Sequence, residues 1–246
     1  MNDTLYLVMP AYNEAENIEN TIKQWYPIVH EIGCNSKLVI VDDGSKDSTL
    51  TILYGLKEKF PLLVILSKSN SGHGASCIYA YNYAITKKAD YIFQTDSDGQ
   101  TSPNEFWRFW EKRKEYDFII GSRKNREDGK DRVFVTKILK LILFIIFKVI
   151  VEDCNTPFRL MRSNKLNEIL KFIPEDFFLS NVIISTISVK LKYKTLWIPI
   201  TFKQRQGGVN SINFKKITKI GTKAIKDFFI IKKNLNIKNN SINYYS

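Results

Sequence analysis

The chain of 246 residues is 44% apolar, 13% aromatic and 25% charged, which excludes a disordered or collagen-like polypeptide and suffices for a sizeable core. Its +12 formal charge is unevenly held, residues 1–100 carrying a net −4 and residues 101–246 a net +16. Cys34, Cys77 and Cys154 are odd in number, far apart and without a C-x-x-C pair. That argues against a disulfide framework or a thiolate zinc site and for a reducing compartment.

The N-terminal string lacks a basic stretch followed by an apolar run, so it reads as a first strand rather than a secretory signal. Short apolar runs then alternate with helical patterns, the signature of βαβ units on a mainly parallel sheet. Strands are expected at residues 5–9, 38–41, 62–66, 91–95 and 118–120, and helices at 14–30, 48–59, 74–88 and 104–115. Asp47 or Ser48 suits an N-cap, as does Ser102 before Pro103. Beyond residue 121 the alternation stops. A charged loop (122–132), an apolar helix (133–151), helices at 165–172 and 177–191, a strand at 195–202 and a basic helix at 213–233 follow. With no Pro/Gly/Ser-rich linker, residues 1–233 read as a single domain, and the Asn-rich segment 234–246 as a flexible tail.

Ligands of open parallel sheets bind beyond the carboxyl ends of the strands, and three polar clusters fall there. They are PAYNE (residues 10–14), VDDGSKDST (41–49) and TDSDGQ (95–100). The D-x-D-x-Q spacing sets Asp96, Asp98 and Gln100 on alternate residues of an extended segment, where they can share one hard divalent cation, Mg²⁺ or Mn²⁺. Such a cation would clamp a leaving diphosphate. Taken alone, the same string also makes a polar turn after a strand. Asp42 and Asp43, adjacent acids at a strand end, repel each other unless something such as a ribose hydroxyl or a base N–H uses them. The string N-S-G-H-G-A (70–75) is a Gly-flanked turn whose amides could face an anion, although tight strand-to-helix packing explains it equally well.

These strings, in this order, resemble family 2 glycosyltransferases of the GT-A fold. GSR (121–123), DCNTPFRL (153–160) and Arg205 with the following Gly-Gly and Ser211 are similar to the polyprenol-phosphate branch, the dolichol-phosphate mannosyltransferase-like proteins. The resemblance covers residues 4–233 and is almost silent on the sugar and the base. It implies an α/β, Rossmann-like three-layer sandwich with a mainly parallel central sheet and C-terminal amphipathic helices. The nucleotide-sugar half would span about residues 1–121 and the acceptor half about 122–233. Carried over by position, Pro10, Tyr12, Glu14, Asp42, Asp43 and Asp96 would hold the nucleotide sugar. Asp96, Asp98 and Gln100 would hold the metal and diphosphate, Asp96 having the ribose as its alternative partner. Arg123, Arg132, Thr136 and Arg205 would line an acceptor phosphate site, and Asp98, Arg123 and Arg205 would be the catalytic set. The chain departs from the family's R-x-x-G-x-S-K string: Arg205 is followed by Gly207, Gly208, Ser211 and Ile212, which lengthens the loop or moves a phosphate contact to Lys215 or Lys216.

The implied reaction is metal-dependent and inverting, from a nucleoside diphosphate sugar to a polyprenyl phosphate. A lipid monophosphate, with a second pKa near about 6, needs no side-chain base at neutral pH. The alternative acceptor, a saccharide hydroxyl in cell-surface polysaccharide or glycoconjugate assembly, needs one, with Asp153, Glu175 or Asp176 as candidates. Asp153 has a second role open to it, orienting Arg159, and Glu175-Asp176 after Pro174 suit the opening of a helix equally well. Of the cations between residues 123 and 132, Arg123 stands apart because it follows a strand end directly.

Residues 138–151 hold 12 apolar residues and two lysines over 14 positions, short of the roughly 20 that span a bilayer, so this helix is buried or interfacial. In the last helix Lys215, Lys216, Lys219, Lys223 and Lys226 fall opposite Phe214, Ile217, Gly221, Ala224, Phe228 and Ile231. That pattern suits either an anionic membrane surface or a docked surface helix with solvated lysines. The expected setting is cytoplasmic and peripheral, on the cytoplasmic face of a membrane, with an integral-membrane subunit as a conceivable partner. Nucleic acid is excluded as a partner because the basic residues spread over several elements without a recognition motif. A non-catalytic sugar-nucleotide, membrane or nucleic-acid binding module is disfavoured by the complete D-x-D-x-Q set.

Overall fold

A computed structural model describes residues 3–123, 130–203 and 214–243, with the side chains of 130–134, 214–220, 222 and 237–243 outside the description. In chain order the elements are β1 (Leu5–Ala11), α1 (Ile18–Ile32), β2 (Lys37–Asp42), α2 (Thr49–Leu56), β3 (Leu63–Ser67), α3 (His73–Thr86) and β4 (Tyr91–Gln94). After a 3₁₀ turn (Pro103–Glu105) come α4 (Trp107–Glu111), β5 (Phe118–Arg123), α5 (Lys130–Phe147), β6 (Arg159–Arg162), α6 (Ser163–Leu170), α7 (Ser180–Lys190), β7 (Thr195–Ile200) and α8 (Phe214–Asn243).

The strands form one seven-stranded sheet in the order β3-β2-β1-β4-β6-β5-β7. All run parallel except β6, which lies antiparallel between β4 and β5. Alternate residues of each strand feed opposite cores. Leu5, Leu7 and Met9 of β1 join Leu38, Ile40 and Phe93 against α1, whereas Tyr6 and Val8 join Val39, Val41 and Ile92 against α3, α7 and α8. Helices on both faces account for the near-continuous apolar strands.

The expected strands are present with ends that differ by one to three residues: β1, β2 and β5 are longer than expected, β3 is shifted by one, and β4 and β7 are shorter. Three elements differ from the sequence reading. Strand β6 has no counterpart there, because its RLMR sequence starts and ends on arginine and shows no apolar run. The helix expected over 104–115 is a 3₁₀ turn followed by a five-residue helix, with Ser102 and Pro103 opening it as anticipated. Helix α8 does not end near residue 233 but continues to Asn243, so the expected flexible tail is helical over most of its length. Of the two N-cap candidates for α2, Ser48 holds the N-cap position without a side-chain capping bond, while Asp47 before it accepts the Thr49 N–H on Oδ1 at 3.0 Å.

The apolar stripe of α8 is docked: Ala224, Phe228 and Ile231 are buried, Phe228 meeting Phe147 and Phe177 with ring centroids 6.0 Å apart. Helix α5 is half-docked. Leu143, Ile146 and Phe147 face the core while Ile138, Leu141, Phe144 and Ile145 are exposed, joined on the same surface class by Ile150, Phe229 and Ile230.

Candidate active site

The carboxyl ends of β1, β2 and β4 and the start of α3 enclose a cleft of about 390 Å³ whose lining includes Pro10, Tyr12, Glu14, Asp43, His73, Asp96 and Asp98. The expected donor-side residues are thus largely brought together. Each is held by contacts that the local sequence explains.

Beyond β1 the backbone turns at Asn13, whose φ of +54° is a left-handed conformation that Asn tolerates. The 45–49 segment grips this turn. Asn13 N–H donates to Ser45 Oγ (3.0 Å), Glu14 N–H to Thr49 Oγ1 (2.8 Å), and Lys46 N–H to Asn13 Oδ1 (2.8 Å). Glu14 is buried and accepts from Asn17 Nδ2 at 3.1 Å, while Tyr12 stands 41% exposed at the rim.

Asp42 is buried, one oxygen taking the Ser45 N–H at 3.3 Å and the other having no partner. Asp43 accepts from Lys68 Nζ, from Ser71 N–H (2.9 Å) and from Gly72 N–H (2.8 Å). Burial raises its pKa, but Lys68, the two amides and Ser76 outweigh that, so its carboxyl sits below the ordinary value. The turn amides over 70–75, expected to face an anion, therefore face one that the protein supplies. Gly44 makes the turn possible: its φ is +69°, and a methyl there would lie 2.9 Å from Asn70 N.

The segment after β4 is not extended as the D-x-D-x-Q spacing suggested. It bends through residues 97–99, with Gly99 at φ +72°. Ser97 is buried and staples the bend, donating to Pro10 O (2.9 Å) and accepting at its carbonyl from Thr21 Oγ1 (3.0 Å). Thr95 and Thr101 close its base at 2.7 Å. Asp98 Oδ1 accepts the Gln100 N–H at 3.2 Å, and Gln100 Nε2 donates to Lys203 O at 2.9 Å; Gln100 itself does not line the cleft. Asp96 Oδ1 lies 2.8 Å from His73 Nε2. Partial desolvation disfavours charge on His73, whose side chain is 45% exposed, yet Cys77 and then Asp96 outweigh it and hold the imidazole above its ordinary pKa. His73 and Lys68 were not singled out in the sequence; the signal for His73 was its place after Gly72 in the N-S-G-H-G-A string.

The donors at this bend suit a hard cation, because carboxylate and amide oxygens satisfy Mg²⁺ or Mn²⁺ while substrate phosphates complete the shell. Among the described residues no group of three or more His, Cys, Asp or Glu side chains is placed to hold a metal ion, so a cation here would rest on two carboxylates with amide and substrate oxygens.

Of the residues expected at an acceptor phosphate, Arg123 at the end of β5 forks onto Asp153, Nε to Oδ2 and Nη2 to Oδ1, both at 2.9 Å. Its guanidinium lies over the Phe202 ring at 5.2 Å, and both partners are over 90% buried. Asp153 therefore orients Arg123, whereas Arg159, fully buried, is held by the carbonyls of Thr156 and Asn181. Glu175 and Asp176 occupy an exposed turn before α7 and do not line the cleft. Thr136 is half-buried on α5. The side chain of Arg132, and the whole of Arg205, lie outside the described residues, as do the side chains of Lys215 and Lys216. All three cysteines are free thiols, Cys34 exposed and Cys77 and Cys154 buried.

Among solved structures, glucosyl-3-phosphoglycerate synthase from Mycobacterium tuberculosis, crystallised with Mn²⁺, UDP and glucosyl-3-phosphoglycerate, superposes with a TM-score of 0.68 at 15% identity, covering 94% of this chain and 80% of that one. S. aureus TarS 1-349 does so with a TM-score of 0.55 at 17% identity, over 80% and 60% of the two chains. At such identities these likenesses speak to the fold, which is the GT-A architecture that the motifs implied. The undecaprenyl-phosphate 4-deoxy-4-formamido-L-arabinose transferase of Salmonella paratyphi B is 27% identical over 140 residues, 56% of this chain and 42% of its own length. The aligned region thus spans less than half of that relative. Residues 6–179 match the profile described as Glycosyl transferase family 2, which contains the whole donor cleft, and the chain belongs to that family.

Proposed function

We propose that the chain is a metal-dependent, inverting glycosyltransferase that moves a sugar from a nucleoside diphosphate sugar to a polyprenyl phosphate at the cytoplasmic face of a membrane. The observation that carries the reading is the convergence of Tyr12, Asp43, Asp96 and Asp98 on one cleft at the strand ends. The mycobacterial structure's Mn²⁺ and UDP, and the Salmonella relative's undecaprenyl phosphate, support donor and acceptor in turn.

Tyr12 and Asp43 border the nucleoside end of the cleft, and Asp96, Asp98 and Gln100 would hold Mg²⁺ or Mn²⁺ at the diphosphate end. When bound, the cation supplies positive charge against the developing negative charge of the leaving diphosphate. The chain's own work is orientation. Ser97 locks the bend that carries both aspartates, and Asp153 fixes the Nε and Nη2 edge of the Arg123 guanidinium, whose charge would serve an acceptor phosphate. The phosphate dianion then attacks the anomeric carbon from the face opposite the diphosphate, with no proton to remove. Among the three carboxylates considered as bases for a hydroxyl acceptor, Asp153 is committed to Arg123 and Glu175 and Asp176 stand in an exposed turn, which favours the phosphate.

No described helix is long and apolar enough to cross a membrane. The exposed Ile138, Leu141, Phe144 and Ile145 of α5, beside exposed Lys137, Lys148, Lys223 and Lys226, support a peripheral association with anionic lipid. The decisive experiment is a donor screen with Mn²⁺ and short polyprenyl phosphates, reading sugar transfer to lipid. Transfer to saccharides with no lipid product for any donor would replace the polyprenol assignment with the hydroxyl one.

A further inference from the structure

We propose that His73 is a positioning residue that presets the Asp96 carboxylate for the divalent cation; the inference rests on the donor-site reading above. His73 Nε2 meets Asp96 Oδ1 at 2.8 Å, joining the start of α3 to the bend after β4 across 23 residues of sequence. The Cys77 sulfur, one helical turn on, packs against the ring, 3.8 Å from Nδ1 and 4.0 Å from Nε2. An ionised carboxylate can only accept, so Nε2 carries the proton and donates it to Asp96. With Oδ1 taken by the imidazole, Oδ2 is the oxygen left for a cation.

The imidazole is itself anchored. Asp43 holds the amides of Ser71 and Gly72 immediately before it. Gly74, immediately after it, packs so tightly that a methyl there would lie 2.5 Å from the Phe177 carbonyl oxygen and closer still to that of Phe178. The backbone that carries His73 is therefore clamped from both sides. A carboxylate that must hold a metal in one rotamer loses part of its affinity when its own hydrogen-bond partner is removed, commonly about 10-fold to 100-fold.

The test measures Mn²⁺ uptake by electron paramagnetic resonance in the presence of UDP or GDP, and nucleotide affinity by calorimetry in EDTA, on the full chain. His73→Ala is expected to weaken Mn²⁺ binding by about tenfold or more. Its nucleotide affinity in EDTA should fall by a clearly smaller factor, the part due to His73 lining the cleft. His73→Gln, whose amide nitrogen falls near the position of Nε2, should restore most of the loss, and His73→Asn, too short to reach Asp96, should not. Thermal melting checks that all three fold. Wild-type Mn²⁺ affinity in His73→Ala, equal behaviour of the Gln and Asn variants, or equal loss with Mn²⁺ and in EDTA overturns the inference; the last outcome means that Asp96 serves the ribose. Asp98→Ala separates the two levels of argument. If wild type and Asp98→Ala alike take up no nucleotide-dependent Mn²⁺, the donor-site reading fails and the inference falls with it.

Discussion

Gly74→Ala offers a sharp test because two known effects oppose each other there. Gly74 is the second residue of α3, and Ala in place of Gly in a helix ordinarily stabilises by up to about 1 kcal/mol. Here the added methyl would meet two backbone carbonyls, 2.5 Å from Phe177 O and closer to Phe178 O, against the roughly 3.5 Å of an ordinary contact. Backbone has no rotamer by which to retreat, so α3 and the 177–178 segment must separate by about 1 Å, at an overpacking cost of roughly 1–3 kcal/mol or more. The clash wins, and we expect a net destabilisation of about 1–2 kcal/mol by urea unfolding with an unchanged m-value. The internal control is Gly55→Ala in α2, where nothing lies within 4 Å of the new methyl and a gain of about 0.5–1 kcal/mol is expected. Because the displacement pulls His73 from Asp96, Gly74→Ala should also weaken Mn²⁺-dependent nucleotide binding. A Gly74→Ala variant as stable as wild type or more so would refute the reasoning.

Asp98→Ala should lower sugar transfer by at least about a hundredfold with every donor, measured as product per unit time; transfer that persists without added metal sinks the metal-dependent mechanism. Asp153→Ala leaves the Arg123 guanidinium buried without its counter-ion and should cost roughly 3–5 kcal/mol in urea unfolding, with Arg123→Met plus Asp153→Leu costing far less than the sum of the two single changes. Additive losses would mean that the pair is not coupled. The Asp43 carboxyl is held below its ordinary value, so its contribution to stability is complete above about pH 4 and declines as the pH falls through the lower, folded-state value. Asp43→Asn should therefore flatten the acid limb of a stability–pH curve; an unchanged limb contradicts the assignment. In liposome flotation with anionic lipid, Leu141→Glu with Ile145→Glu should reduce a salt-sensitive association of the wild-type chain, whereas equal flotation of both would dissociate α5 from the membrane.

The donor cleft was legible because its parts are local strings at strand ends. Each of PAYNE, VDDGSKDST and TDSDGQ follows an apolar run, and a parallel sheet gathers such ends on one edge whatever the details of register. Less legible was how the residues within the strings are spent. Asp43 reads as a free acid at a strand end, yet its oxygens hold Lys68 and the amides of Ser71 and Gly72. Asp153 reads as a base or as a partner of Arg159, yet it holds Arg123, 30 residues away. Such pairings depend on which side chains the fold brings within 3 Å, and no local pattern reports that.

By itself, then, the sequence determined the alternation of strand and helix in the first half, the strand-end positions of the acids, and the two-faced character of α8, since these follow from short apolar runs, a period of 3.6 residues and a few turn-forming residues. Only the tertiary structure decided that β6, bounded by two arginines, inserts antiparallel between β4 and β5 with Arg159 fully buried against backbone carbonyls. It alone joined His73 to Asp96, and it alone buried one side of α5 while leaving Ile138, Leu141, Phe144 and Ile145 exposed. The physical reason is the same in each case. Burial and hydrogen-bond partnership are settled between segments distant in the chain, where the cost of an unpaired charge or an uncovered apolar side chain falls on the whole fold rather than on the residue's neighbours.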